Sequence, residues 1–193
     1  MPNWCFTTYA IEGNAQEVEK LYGIMKELGE RKEPSVENGF GTTWLGCLVD
    51  ALGGDCKKIW CRGNWGELQM TDNVLRFNTV TAWAPCFATF DFICRKFPSI
   101  HCYYQAEEPN FAYYGTNDNE GKYFPDRYIV RLYTPKGEYY DATFSELPKL
   151  LEWLEEKCGQ SLKSKEDVAN MLEQWHTDSD EAFCWVDEYE LER

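Results

Sequence analysis

Hydrophobic and polar residues follow two periods along the first part of the chain, one typical of strands and one typical of helices. The run 4–11 is rich in aromatic and β-branched residues, which predicts a strand. From 14 to 28, apolar residues recur at helical spacing, which predicts a helix. The runs 59–71 and 74–83 predict the two strands of a hairpin, because an Asp-Asn turn lies between them.

A second helix and a fourth strand complete this pattern. Pro85 suits the first position of a helix, and the apolar stripe that follows predicts a helix over 85–97. Over 100–107, apolar and polar residues alternate, as expected for a strand with one buried face. The order β-α-β-β-α-β is that of the ferredoxin-like split βαβ fold, in which four antiparallel strands carry two helices on one face. The sequence therefore predicts an α+β protein with a ferredoxin-like core.

Further strands are predicted directly after this core. The runs 111–116, 127–134 and 138–144 have the composition of strands. We expect them to extend the antiparallel sheet of the core. This gives a predicted ferredoxin-like α+β domain with an extended sheet over 1–144.

The remaining part, 145–193, predicts an acidic helical C-terminal segment that packs on this domain. Leucines at helical spacing predict one helix that is capped by Ser145 and closed by Gly159. A second helix is predicted over 164–176. The pattern of 182–191 fits either a final strand or an acidic tail, and the sequence leaves both open.

Composition limits the class of protein. The chain has 193 residues, of which 44% are hydrophobic and 16% aromatic, enough to bury a core without disulfides or metals. It has no apolar run of membrane-spanning length and opens without the features of a signal peptide, so we expect a soluble, cytoplasmic protein. Its nine cysteines include no Cys-x-x-Cys pair, and the sequence therefore predicts no disulfide framework, no metal site and no cofactor.

The charge of the chain is strongly negative and unevenly distributed. The net charge of −14 repels phosphate backbones, which disfavours a nucleic-acid-binding role. From Ser145 to the end there are 14 acidic and 5 basic residues, a net charge of −9. This stretch is either a solvated acidic face or a surface for a basic protein partner.

Four short motifs occur along the first part of the chain: MPNWC at 1–5, WCRGNW at 60–65, TAWAP at 81–85 and YYQAEEP at 103–109. Together they resemble the YubB ferredoxin-like family of plasmid, phage and bacterial proteins. The resemblance spans roughly 1–125 and rests on the combination and order of the motifs. It implies a ferredoxin-like fold and supplies neither an assigned activity nor catalytic residues. It implies no iron–sulfur cluster either, because the nearest cysteine pair has no companions at ligand spacing.

Aromatic residues and two neighbouring glutamates form the candidate binding set. Large amphipathic rings are enriched at binding surfaces, although packing in a sheet core is the ordinary role of a strand aromatic. Glu107 and Glu108 are candidates for acid–base work, although adjacent strand residues point to opposite faces. The full set is Trp60, Arg62, Trp65, Trp83, Tyr103, Glu107, Glu108, Tyr113 and Tyr114.

Three hypotheses for function follow. The chain has no signature of a P-loop, a dinucleotide-binding turn, a zinc protease or a hydrolase elbow, which favours a non-catalytic protein-interaction protein. The first alternative is a small enzyme with an aromatic-lined pocket that uses Glu107 or Glu108. The second is an acidic inhibitor that mimics DNA, which would need its carboxylates in a phosphate-like track.

Overall fold

The fold is mixed α+β, as the sequence predicts. The computed structural model describes residues 3–178 and 181–192, and the side chains of all of these except 176–178. These residues form five α-helices and mostly antiparallel strands. The chain falls into two compact units, Met1–Asp118 and Asn119–Glu192.

In the first unit a five-strand run of the sheet carries three helices. Its strands lie in the order β2-β3-β1-β4-β5, and all of these neighbours are antiparallel. The elements in chain order are β1 (Trp4–Glu12), α1 (Ala15–Glu30), α2 (Leu45–Ala51), β2 (Gly63–Thr71), β3 (Val74–Ala82), α3 (Phe87–Lys96), β4 (His101–Glu108), a short 3-10 helix (Pro109–Phe111) and β5 (Tyr113–Thr116).

The core of the first unit forms where α1 and α3 cover one face of this sheet. Tyr9 on β1 stacks on Phe77 of β3 and on Phe90 of α3, with ring centroids 5.2 Å and 3.9 Å away. Asn14 caps α1 by accepting a hydrogen bond from the Gln16 N–H at 2.9 Å. The buried residues of α1 recur at the spacing of one helix face and are Val18, Leu21, Met25 and Leu28.

The second unit is a three-stranded sheet with two helices on one face. The strand order is β7-β6-β8, and both pairs are antiparallel. Val130 and Leu132 on β6 share a buried core with Leu150, Leu154 and Met171 of the helices. The elements are β6 (Tyr128–Tyr133), β7 (Tyr139–Phe144), α4 (Leu147–Cys158), α5 (Lys165–Asp178), β8 (Phe183–Glu188) and the two-residue β9 (Glu190–Leu191).

The predicted extension of the first sheet by all three later strands is wrong. Only Tyr113–Thr116 pairs with β4, whereas the predicted strands 127–134 and 138–144 pair with each other and with β8 in the second unit. The physical reason for this pairing is that the apolar face of β6 packs against α4 and α5. These strands and helices therefore form one core. The observed division after Asp118 accordingly differs from the predicted division after 144.

The last elements of the chain decide three smaller points of the prediction. The predicted Ser145 cap is wrong, because α4 begins after Glu146. Gly159 does close this helix in the left-handed conformation, with φ 69°. The segment 182–191, which the sequence left open, contains strand β8.

Candidate functional site

Two of the predicted binding residues, Trp60 and Arg62, line one depression of about 320 Å³ in the first unit. They lie in the loop between α2 and β2. Trp60 is 50% exposed, and its carbonyl accepts a hydrogen bond from the buried Thr89 hydroxyl at 2.7 Å, which fixes the backbone there. The depression is lined by Phe40, Trp44, Cys56, Lys57, Lys58, Ile59, Trp60, Cys61 and Arg62.

This depression combines exposed rings with positive charge. Its lining contains two lysines and one arginine and, among the described residues, no carboxylate. Lys58 has an ion pair with Asp55 at 3.6 Å. Phe40 is 56% exposed, and its ring centroid lies 6.1 Å from that of Trp44. A ligand that carries both an aromatic ring and a negatively charged group would suit this lining. Its ring could stack on the exposed aromatic side chains, and its anionic group could bind the guanidinium group.

The two candidate glutamates lie on opposite faces of β4 and have different environments. Glu107 is half-buried and lies beside Phe6 and Tyr114 on the neighbouring strands. Glu108 is 0% exposed and accepts hydrogen bonds from the backbone N–H groups of Asn110 at 3.2 Å and Phe111 at 2.9 Å. Glu108 therefore caps the 3-10 helix, a structural use of its carboxylate.

The other predicted aromatic residues are dispersed. Trp65 and Tyr114 are buried, as the alternative of core packing expects. The Tyr103 hydroxyl donates a hydrogen bond to Glu12 at 3.2 Å, and Tyr113 is half-buried at the start of β5. The exposed Trp83 has its ring centroid 6.1 Å from that of Phe111. The nine predicted residues thus do not form one groove, and only Trp60 and Arg62 share the depression described above.

The sequence did not identify the sheet face of the second unit opposite α4 and α5. Cross-strand partners place Tyr139, Tyr133 and Phe183 in one row across the three strands, and Trp185 lies in the next row. Phe183 stacks on Tyr133 and on Trp185, with ring centroids 5.9 Å and 4.4 Å away. Trp185 and Tyr139 are 59% and 57% exposed. We call these four rings, together with Arg131, Asp141 and Asp187 on the same side of the sheet, the aromatic sheet face.

This face lies on a unit whose net charge is strongly negative. Arg131 at its centre forms an ion pair with Asp141 at 3.8 Å, and Asp187 follows Trp185 two positions along β8. The second unit contains 18 acidic and 8 basic residues, a net charge of −10. The sequence did contain a signal for this face, because Phe183, Trp185 and Asp187 alternate with inward-facing residues.

Comparison of the chain with protein-family models, with curated proteins and with solved structures gives no match in any of the three.

Neither a membrane-spanning helix nor a metal-binding cluster occurs in the part of the chain that the structure describes. No helix of residues 3–178 and 181–192 has both the length and the apolar character needed to cross a membrane. Within the same residues, no three or more His, Cys, Asp or Glu side chains cluster in a way that could hold a metal ion.

Proposed function

We propose that this protein is a non-catalytic interaction protein whose second unit binds a basic protein partner on the aromatic sheet face. The observation that carries the proposal is a pair of exposed rings, Trp185 and Tyr139, on one sheet face of a unit with a net charge of −10. The partner's arginine or lysine side chains would lie over Trp185 and Tyr139. Each such cation–π contact contributes about 0.5–1 kcal/mol at an exposed site.

The carboxylates of the second unit would act mainly on the approach of the partner. A unit with this charge attracts a basic surface over about 8–10 Å at physiological salt, which raises the association rate. Close contact with the rings then supplies the selectivity that long-range attraction lacks. Both the long-range attraction and the contacts with the rings require a partner with positive charge.

A ferredoxin-like core in the first unit and kinship with the YubB family belong to the same proposal. The support is the antiparallel strand order β2-β3-β1-β4, with α1 and α3 contributing to one core, together with the four sequence motifs. The mobile-element setting of that family and a cytoplasmic location are proposed with it.

The alternative of a DNA mimic has weaker support from the charge arrangement. Several carboxylates of the second unit have lysine neighbours, which interrupt a phosphate-like track. The ion pairs are Glu146 with Lys149, Glu156 with Lys157, and Glu188 with Lys165. The alternative of an enzyme that uses Glu108 is weakened because that carboxylate caps the 3-10 helix.

The test is titration of the purified protein with an arginine-rich peptide and with a matched glutamate-rich peptide. We expect only the basic peptide to bind, and we expect Trp185→Ala combined with Tyr139→Ala to raise its Kd roughly tenfold, since two contacts are lost. Trp60→Ala is the matched control, because Trp60 is similarly exposed but lies in the first unit. Equal losses in both variants, or no loss in either, would refute the proposal. Salt-sensitive binding that survives removal of both rings would instead favour the DNA mimic.

A second candidate function is binding of an aromatic anion, such as a mononucleotide, in the depression lined by Trp60 and Arg62. Its support is the joint presence of exposed rings and basic side chains without a lining carboxylate. Titration with adenosine monophosphate, adenosine and inorganic phosphate measures the contributions of the ring and of the anionic group to binding separately. We expect only the nucleotide to bind measurably, and Arg62→Ala to weaken it severalfold while Trp185→Ala does not. Equal affinity of wild type and Arg62→Ala would eliminate this candidate.

A further inference from the structure

Two cysteines of the first unit lie in direct contact, although neither belongs to the surfaces described above. Cys94 is in the last turn of α3, and Cys102 is the second residue of β4. Their thiols form a hydrogen bond with the sulfur atoms 3.4 Å apart. Both residues are only partly buried. A turn that contains Pro98 reverses the chain between them and brings the helix end beside the strand.

The contact makes the two thiols chemically different. When Cys94 ionises, the Cys102 thiol can donate a hydrogen bond to its thiolate, which lowers the Cys94 pKa to about 7, with burial and Asp91 opposing the effect and Arg95 assisting it. The same contact, together with burial, raises the pKa of Cys102. Thiolates are the reactive form of cysteine, so Cys94 has a substantial nucleophilic fraction at neutral pH.

Several other cysteines lack this activation. Burial raises the pKa of Cys61 to about 11 and that of Cys86 to about 12. In the second unit it raises the pKa of Cys158 to about 11 and that of Cys184 to about 12. A thiol with such a pKa is almost fully protonated at neutral pH and reacts slowly. Cys94 is therefore distinguished from these cysteines both by its contact with Cys102 and by its acidity.

We propose that Cys94 and Cys102 form a reactive dithiol that small disulfides, such as glutathione disulfide, modify and close into an intramolecular disulfide. Cys94 is the attacking thiol because it is the more acidic of the two. Cys102 is the resolving thiol because its sulfur already touches that of Cys94. This assigns a covalent modification site to the α3–β4 turn.

The chemistry is two thiol–disulfide exchanges. The Cys94 thiolate attacks one sulfur of the small disulfide, whose sulfur–sulfur bond breaks, and the released thiolate takes up a proton. Cys102 then loses its proton and attacks the Cys94 sulfur of the mixed disulfide, which releases the second small thiol. In sum, two protein thiols are oxidised to one disulfide, and one small disulfide is reduced to two thiols.

Closure requires a limited movement. The sulfur atoms must approach from 3.4 Å to the ~2.05 Å of a disulfide bond. Cys94 lies two residues before the end of α3, and the residues between α3 and β4 form a turn outside both elements. Adjustment of this turn supplies the remaining approach.

The test is incubation of the reduced protein with glutathione disulfide at neutral pH, followed by acid quenching and peptide mapping by mass spectrometry. We expect a Cys94–Cys102 crosslink in the wild type and a stable glutathione adduct on Cys94 in Cys102→Ser. We expect neither product in Cys94→Ser. Cys158→Ser is the control and should give the wild-type crosslink, because Cys158 lies in the other unit.

The pH dependence of the initial rate gives a readout that needs no variant. The rate at Cys94 should rise with a midpoint near its pKa of about 7, whereas modification of an ordinary thiol rises around its usual value near 8.5. A stable glutathione adduct on wild-type Cys94 would overturn the proposal because closure failed. Modification of Cys94 no faster than that of Cys158 would overturn it because activation failed.

Discussion

The two units use charge in opposite ways. In the first unit, 15 acidic and 10 basic residues are spread over Met1–Asp118, yet two lysines and Arg62 line a depression without a carboxylate. In the second unit, which has a net charge of −10, exposed rings share a sheet face with Asp141 and Asp187. The net charge of −14 for the whole chain therefore does not predict the local charge of either the depression or the aromatic sheet face. One of these surfaces is lined by positive side chains, and the other lies on a unit of negative net charge.

The largest expected effect tests whether the two units have independent cores. Leu21 in the first core and Leu154 in the second are both fully buried, so replacing either by alanine should lower the free energy of unfolding by about 2–5 kcal/mol. Hydrogen exchange followed by mass spectrometry should localise the lost protection to the mutated unit. Equal loss of protection in both units for either variant would mean that the two cores unfold together.

A smaller effect separates the two adjacent glutamates of the first unit. Glu108→Gln should destabilise the protein by about 1–3 kcal/mol, because a buried amide NH₂ group would replace one of the two oxygens that accept hydrogen bonds from the backbone N–H groups of Asn110 and Phe111. Glu107→Gln is the matched control and should cost less, since Glu107 is only half-buried. The measurement is urea unfolding of both variants. Equal costs would contradict the structural role of Glu108.

Charge on the aromatic sheet face should affect binding more weakly than its rings do. Asp187→Asn is expected to raise the Kd for an arginine-rich peptide a few-fold at low salt and by less at physiological salt, because exposed charges are screened. Asp72→Asn removes one charge from a turn of the first unit and serves as the control. A loss in Asp187→Asn that is unchanged by salt would indicate a direct contact instead of steering.

The smallest expected effect concerns an ion pair of the second unit. Lys165 and Glu188 are 2.9 Å apart, and both side chains are about half-exposed. Glu188→Gln should therefore change the free energy of unfolding by no more than about 0.5–1 kcal/mol, as measured by thermal or urea unfolding. A larger loss would show that this pair holds α5 against β8 more firmly than surface ion pairs usually do.

Local elements were predictable from the sequence because their signals are local. The spacing of Val18, Leu21, Met25 and Leu28 predicts α1, and the Asp-Asn turn predicts the β2–β3 hairpin. The lateral partners of the later strands were not predictable in the same way. Pairing of β6 with β8 depends on residues far apart in sequence, and the pattern of β6 would suit either sheet.

The same limit applies to the sites. Trp60 and Arg62 both belong to the predicted binding set, and they share a depression because they are two positions apart in one loop. The capping role of Glu108 depends on the turn that follows it, and the contact of Cys94 with Cys102 depends on how α3 lies against β4. Cysteine spacing alone gives no information on such a contact. The aromatic sheet face needs three strands from two parts of the chain, so composition could only suggest its members.

The late position of β8 has a consequence for synthesis of the chain on the ribosome. Leu132 of β6 pairs with Cys184 of β8. One edge of β6 therefore stays unpaired until the ribosome has added the 52 residues that separate these two positions. During that interval α4 and α5 can form, but β6 exposes unpaired backbone groups to other nascent chains. Completion of the second unit is therefore expected after release of the segment Phe183–Glu188 from the exit tunnel. A chain interrupted before Phe183 should aggregate more readily than the full-length chain.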